Sequence, residues 1–456
     1  MMELKNKSVL VLGLGETGLS MLRHLKSKGA QLSAADTREN PAGLTEAKKY
    51  LNQSHIICGP FNDELFVGID LIAISPGVSL RDPVIAKAVA SGIPVVGDIE
   101  LFAWTLPEQD RPRVLAITGS NGKTTVTSMV EHLCKSAGKM VVAAGNISPA
   151  VLDVIKENEQ PDIWALELSS FQLESTSTLN ADAATVLNVS EDHMDRYDSL
   201  DEYAKFKARI LNGAKVQVLN RDDQRSLAMS HSGSTKATFG LSAPDNAQDF
   251  GLLQQEGTNW LAQGMHALLK VEELKVNGLH NAANALAALA LCRAIDIPMD
   301  ALLDGLRSYE GLPHRVTLIS EINGVAYYDD SKGTNVGATV AALAGLGQKA
   351  VLIAGGEGKG QDFAPLKSAV QMSARGVVLI GRDADLIEAA LQDCGVPVIH
   401  GEDMVGAVTK AAELAHSGDA VLLSPACASF DMFRNYKHRA ESFIAAVRGL
   451  KMGALA

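Results

Sequence analysis

Lys123 and Thr124 follow a turn that carries Gly119 and Gly122, in the stretch Thr118-Gly-Ser-Asn-Gly-Lys-Thr-Thr125. An apolar run, Val114 to Ile117, enters this turn, and a helix-like pattern leaves it. Each residue type has a use there. Gly119, Ser120, Asn121 and Gly122 expose backbone N–H groups, Lys123 supplies a cation for terminal phosphates, and the hydroxyls of Thr124 and Thr125 stand at the positive end of the helix. The chemistry is phosphate binding, with Thr124 able to hold a divalent cation. The common form is G-x-x-x-x-G-K-[ST]. Its first glycine would fall on Ile117, so the loop here is a shortened version.

Further reactive groups gather where apolar runs end. Glu167 closes "IWALE" and is followed by Ser169. Asn188, Asp192 and His193 follow "ATVLNV". In a parallel sheet the C-terminal strand ends share one edge, where ligands bind, so Lys123, Glu167 and His193 are expected at one site. Near the start, Gly13, Gly15 and Gly18 form G-x-G-x-x-G with Glu16 and Thr17 inside it. Asp36, Thr37 and Arg38 end the next strand-like run, and Ser75, Pro76 and Gly77 end another. This is a fingerprint for a dinucleotide or any ribose diphosphate. The glycines and Asp36 alone leave an NAD-dependent oxidoreductase open, although that reading does not explain residues 119–125. A nucleotide-gated binding protein without chemistry is the other alternative. In the last third, Arg315, Asp330, Lys332, Thr334, Lys359, Ser424, Ser429, Phe430 and Tyr436 lie in Gly-rich or polar turns. Each taken singly reads as a cap, a turn or a core aromatic.

These residues need a scaffold. "SVLVLG", "LIAIS", "RVLAIT", "IWALEL", "ATVLNV", "KVQVLN", "AVLIAG", "GVVLIG" and "AVLLSP" are continuous apolar runs separated by helix-period segments. That pattern predicts parallel strands buried on both faces, an α/β protein throughout. Polar, Pro-bearing joints at Thr105–Arg113 and Tyr309–Arg315 divide the chain into three expected domains. These are a Rossmann-like domain at 1–104, a phosphate-loop domain at 105–312 and a second Rossmann-like domain at 313–456. The polar segment 232–262 reads as hairpins or loops. The 456 residues are 46% hydrophobic with a net charge of −12, which argues against a nucleic-acid binder. Five scattered cysteines without a C-x-x-C pair suit a reducing compartment. No apolar stretch approaches ~20 residues, so a cytoplasmic chain without membrane insertion is expected.

"TGSNGKTT", "ELSSFQLE" and "LNVSEDHMDRY", in this order, resemble the Mur ligases, which build the peptide of bacterial cell-wall precursors; folylpolyglutamate synthases share the shortened loop. The resemblance implies ATP bound by residues 119–125 with Asn281, Arg315 and Asp330. It implies two Mg²⁺ ions served by Thr124, Glu167, His193 and Lys207. Lys207, which on pattern alone is a solvated helix lysine, would then be carbamylated. It implies a UDP-linked substrate held by Gly15, Glu16, Thr17, Asp36, Thr37, Arg38, Ser75, Pro76, Gly77, Asn146 and Ser169. "SPACASFD" and the residues after it look like the branch that adds D-glutamate to UDP-N-acetylmuramoyl-L-alanine. Lys332, Thr334, Lys359, Ser429, Phe430 and Tyr436 would bind D-glutamate, with Tyr436 standing where the family pattern has Phe. The Asp-Asn-Pro-Arg signature of the diaminopimelate-adding relatives is absent. Lys123, Glu167, His193 and Lys207 would be the catalytic set of a monomer.

Overall fold

A computed structural model describes residues 3–155, 160–231 and 233–453. All nine apolar runs are strands, and they lie in three sheets.

The first sheet is wholly parallel, in the order Ile56–Cys58, Gln31–Asp36, Ser8–Leu12, Leu71–Ile74, Val95–Val96. The order reverses at Ser8–Leu12, so a crevice opens beyond the C-terminal end of that strand. The helix Glu16–Ser27 starts there. Gly18 lets this helix approach closely, since a Cβ on it would lie 1.8 Å from the Gly13 carbonyl oxygen.

The middle sheet has nine strands. Its parallel part runs Val141–Gly145, Ile163–Glu167, Arg113–Thr118, Ala183–Val186, Val216–Asn220, Thr235–Phe239. An antiparallel meander of Phe250–Gln255, Thr258–Gln263 and His266–Lys270 extends it. Part of the segment expected as hairpins or loops is thus a parallel strand, Thr235–Phe239. Its sequence, TKATF, is short and half polar because only its alternate residues are buried. The helix Leu279–Arg293 is apolar all round and buried continuously from Ala285 to Cys292, after first turns that carry the half-buried His280, Asn281 and Asn284. It packs against the helix Lys123–Ser136 and the sheet, as an all-apolar helix must.

The third sheet orders Thr317–Ile322, Val325–Asp329, Ala420–Leu423, Ala350–Gly355, Ala374–Ile380, Val398–His400, with only the first pair antiparallel. Among the described residues no helix is long and apolar enough to cross a membrane.

Register decides what meets at the middle sheet's edge. Ile117 pairs with Glu167, Thr118 with Val186, and Gly145 with Glu167. Gly119, Asn146 and Asn188 therefore leave their strands beside one another.

Candidate active site

The loop Gly119–Gly122 is braced from the next strand end. The Ser120 N–H donates to the Asn188 carbonyl at 3.0 Å, and the Asn121 N–H to Asn188 Oδ1 at 2.8 Å. Gly122 caps the helix Lys123–Ser136 with φ +83°, and a Cβ on it would lie 2.7 Å from Asn284 Oδ1. Gly122→Ala should therefore cost roughly 1–2 kcal/mol in backbone strain and push Asn284 aside. The expected result is about tenfold weaker binding of a phosphate-bearing ligand, read by a binding titration.

Lys123 Nζ donates to Gly119 O at 2.8 Å and Ser120 O at 2.9 Å. Burial lowers its pKa below the lysine range, while Glu167 and Asp192 pull the other way. Lys207, on the helix Leu200–Ala208, is 1% exposed and not solvated. Its Nζ donates to the same Gly119 carbonyl at 2.9 Å and lies 4.3 Å from the Tyr203 ring centre. Burial, with the Lys123 charge nearby, holds its amine well below the usual pKa.

Glu167 is 2% exposed. Its Oε1 accepts from Asn146 Nδ2 at 2.8 Å, and its Oε2 is buried with no partner. A buried carboxylate oxygen left bare is costly. His193 lies edge-on to Phe171 with ring centres 5.0 Å apart, and burial lowers its pKa to about 4. Its imidazole is therefore neutral and free to act as a ligand. The bare Glu167 oxygen and the neutral His193 imidazole are the groups here that suit a divalent cation; Lys207, whose amine donates to the Gly119 carbonyl, would offer oxygen ligands only as a carbamate. Among the described residues, the group of His and carboxylate atoms already within 4.8 Å of one another is elsewhere. It is the exposed trio Asp385, Glu388 and His400 at the outer edge of the third sheet.

Asn281, Asn284, Arg315 and Asp330 line one cleft of about 370 Å³ with Asn121, Gly122 and Thr125. Asp330 is buried, accepts from Ser424 Oγ at 2.7 Å, and is pushed up to about 7 by burial. Thr124 sits half-buried in the first turn of the helix. A second cleft, about 160 Å³, joins Glu16, Thr17, Ser75, Pro76 and Gly77 of the first domain to Asn146 of the middle one. Gly15 caps the helix at its rim. Asp36 accepts four bonds, from the Leu14 N–H and from the Arg38 N–H, Nε and Nη2, at 2.7–3.0 Å. That is the full capacity of a carboxylate, so it has no acceptor left for the ribose hydroxyl of NAD. Thr37 is exposed, and Ser169 caps the helix Ser170–Glu174.

From the third domain, Lys332 Nζ lies 4.0 Å from the Tyr436 ring centre, and burial lowers its pKa to about 8. Thr334 is half-buried and Ser429 is buried, whereas Phe430 is 71% exposed. Lys359 makes an ion pair with Asp192 of the middle domain. Two groups escaped the sequence reading. Asn284 follows Asn281 by three residues and so shares its helix face, a signal that was legible. Arg439, 1% exposed, donates to the carbonyls of Ser331, Cys427 and Ala428 and ties together the loops bearing Lys332 and Ser429. A lone arginine in a C-terminal helix gave no such signal. The apolar groove of about 1070 Å³ between Met404–Leu414 and Tyr436–Gly453 contains none of these residues.

A shortened phosphate loop between two further α/β domains, with acidic, imidazole and lysine groups converging on it, defines a three-domain protein built around a nucleotide-phosphate site. Family models match in chain order: the Mur ligase MurD-like N-terminal domain at 7–97, the Mur ligase middle domain at 117–292 and the Mur ligase glutamate ligase domain at 314–427. The chain belongs to the Mur ligase family. It is 56% identical to the UDP-N-acetylmuramoylalanine–D-glutamate ligase of Nitrosomonas europaea, over 98% of this chain and 97% of that one. It is also 56% identical to the enzyme of the same name from Methylobacillus flagellatus, over 99% of each. Among solved structures, MurF of Acinetobacter baumannii aligns with a TM-score of 0.62 at 14% identity, over 97% of this chain and 90% of that one. The UDP-N-acetylmuramate–alanine ligase of Thermotoga maritima aligns at 0.60 and 19%, over 97% and 99%.

Proposed function

We infer that the chain joins D-glutamate to UDP-N-acetylmuramoyl-L-alanine with ATP, in peptidoglycan precursor synthesis. The observation that carries the mechanism is the convergence of Lys123, Lys207 and the half-bare Glu167 carboxylate on one sheet edge, beneath loops of the third domain.

A free carboxylate does not condense with an amine in water, so it must first be activated. The L-alanyl carboxylate oxygen attacks the γ-phosphorus of ATP, the bond to the β-phosphate oxygen breaks, and ADP leaves. The amine of D-glutamate attacks the acyl carbon of the resulting acyl phosphate. Inorganic phosphate departs, and the nitrogen loses its proton. Residues 119–125 hold the phosphates by backbone N–H groups, and Lys123 follows the charge as it moves. Asn281, Arg315 and Asp330 hold the remainder of the nucleotide. Magnesium, when bound, neutralises phosphate charge; Thr124, Glu167, His193 and carbamylated Lys207 would hold two ions.

The UDP end lies along Gly15, Glu16, Thr17 and the Ser75–Gly77 turn. Asp36 acts there by fixing Arg38 and the Leu14 N–H, with Thr37 beside them. Asn146 and Ser169 guide the acyl arm. Lys332, Thr334, Lys359, Ser429, Phe430 and Tyr436 receive D-glutamate. A monomer is the working unit this reading assumes.

Selectivity tests this reading. A site that anchors two carboxylates rejects an analogue lacking one by leaving its own buried groups unpaired. Ligation rates against acceptor concentration should show D-alanine, L-glutamate and meso-diaminopimelate at least about 10³-fold below D-glutamate in kcat/KM. L-Glutamate fails because inversion at the α-carbon misdirects its amine when both carboxylates are anchored. Comparable rates with D-alanine or diaminopimelate would sink the D-glutamate assignment and leave the wider ligase intact.

A further inference from the structure

The middle and third domains touch across the cleft through a few polar contacts, and those from the loop after Ala183–Val186 are specific. Lys359 pairs with Asp192, and their side chains are only 15% and 8% exposed. Asn335 Nδ2 donates to Asn121 Oδ1 at 2.9 Å and reaches Asp192 Oδ2 at 3.4 Å. The Asp362 N–H donates to Glu191 Oε2 at 3.0 Å. The Gly358 N–H is fixed by Asp383 Oδ2 at 2.7 Å, and Lys359 itself has φ +54°. The turn is thus set so that its ammonium meets a carboxylate of the neighbouring domain.

An amino acid with two carboxylates needs a cation, and Lys359 is the cation the proposed reading assigns to it. That ammonium already has a carboxylate partner within the chain, Asp192. We propose that Asp192 is an internal stand-in for the amino acid's carboxylate, occupying Lys359 until the amino acid displaces it. This rests on the reading of Lys359 as an amino-acid contact. Asp192 is then a positioning residue that sets when the amino acid binds. The exchange has a cost. Once Lys359 turns to the ligand, the buried Asp192 carboxylate loses the ammonium that pairs with it directly and keeps only the 3.4 Å approach of Asn335 Nδ2 and the more distant Lys123 charge, and removing one partner of a buried ion pair is unfavourable. D-Glutamate by itself therefore binds weakly.

Equilibrium dialysis of radiolabelled D-glutamate against the full chain, without nucleotide or UDP substrate, tests this. Asp192→Asn should bind D-glutamate at least tenfold more tightly than the unaltered chain. Asp192→Ala should show the same gain, and the double variant Asp192→Asn with Lys359→Ala should lose it. Steady-state kinetics of Lys359→Ala supply the control. If both Asp192 variants keep their thermal melts yet bind no more tightly, while Lys359→Ala raises the D-glutamate KM, the stand-in is wrong and the amino-acid site stands. If Lys359→Ala leaves that KM unchanged, the reading of Lys359 falls and the stand-in falls with it.

Discussion

Replacing Lys123 with alanine should lower ATP-dependent phosphate release by about 10³-fold, with the thermal melt unchanged. Among the described residues the ammonium's hydrogen bonds go to its own loop, at the Gly119 and Ser120 carbonyls, and Glu167 and Asp192 act on it through charge, so no packing depends on it. The strand Arg113–Thr118 and the helix Lys123–Ser136 keep their core contacts through Leu115, Ile117, Val126 and Met129. What is lost is a preorganised cation where the γ-phosphate gathers charge during transfer. Such a group acts in a water-poor site, where its charge counts for more than in solvent. Phosphate release with saturating substrates, beside a melting curve, measures both halves of the claim. Normal turnover in the folded variant would remove the phosphate-loop assignment.

Lys207→Ala and Lys207→Arg should both lose activity by about 10²–10³-fold, the range for removing one group that stabilises developing charge. The two substitutions separate two roles. If Lys207 worked as a cation, arginine would preserve much of its function. The structure argues for the opposite. Its amine is 1% exposed, sits beside Lys123 and is held well below the ordinary lysine pKa. A lowered pKa raises the share of the neutral amine. The neutral amine is the form that adds CO₂: the nitrogen lone pair attacks carbon, a proton leaves, and an anionic carbamate results. Arginine stays protonated and cannot follow that route. It would also put a permanent charge in a buried place. Ligation rates for the two variants and a nucleotide-bound crystal structure supply the check. An active arginine variant, or an unmodified Lys207 turned to solvent in that crystal, would overturn the carbamate.

Much of the architecture was legible because it is written locally. Nine apolar runs announced nine strands, since a parallel strand buried on both faces tolerates few polar residues. Gly119–Thr125 and Gly13–Gly18 could be located because a tight strand-to-helix turn that exposes N–H groups needs glycine at set spacings. From those pieces and the rule that C-terminal strand ends share an edge, Lys123, Glu167 and His193 could be brought to one place before any coordinates. Thr235–Phe239 escaped because a half-buried five-residue strand leaves little pattern.

What the sequence by itself determined is therefore the fold class, the turns that bind phosphate and the edge where they meet. Tertiary structure alone decided the state of the charged groups there. Lys207 lies in "DEYAKFKARI", where Tyr203, Ala204 and Ile210 at helical spacing put it on the apolar face, a signal outweighed by the residue's charge, and the fold then encloses it with Tyr203 and the Gly119 carbonyl. Asp36 has the position of a ribose acceptor, but Arg38 and the Leu14 N–H fill its oxygens. Lys359 meets Asp192 across 167 residues of chain. Glu167 keeps one oxygen bare because Asn146 satisfies only the other. Local patterning follows from backbone geometry and hydrophobic period, which act over a few residues. Charge state and pairing follow from desolvation and Coulomb attraction, which act through space between segments that only the folded chain brings together.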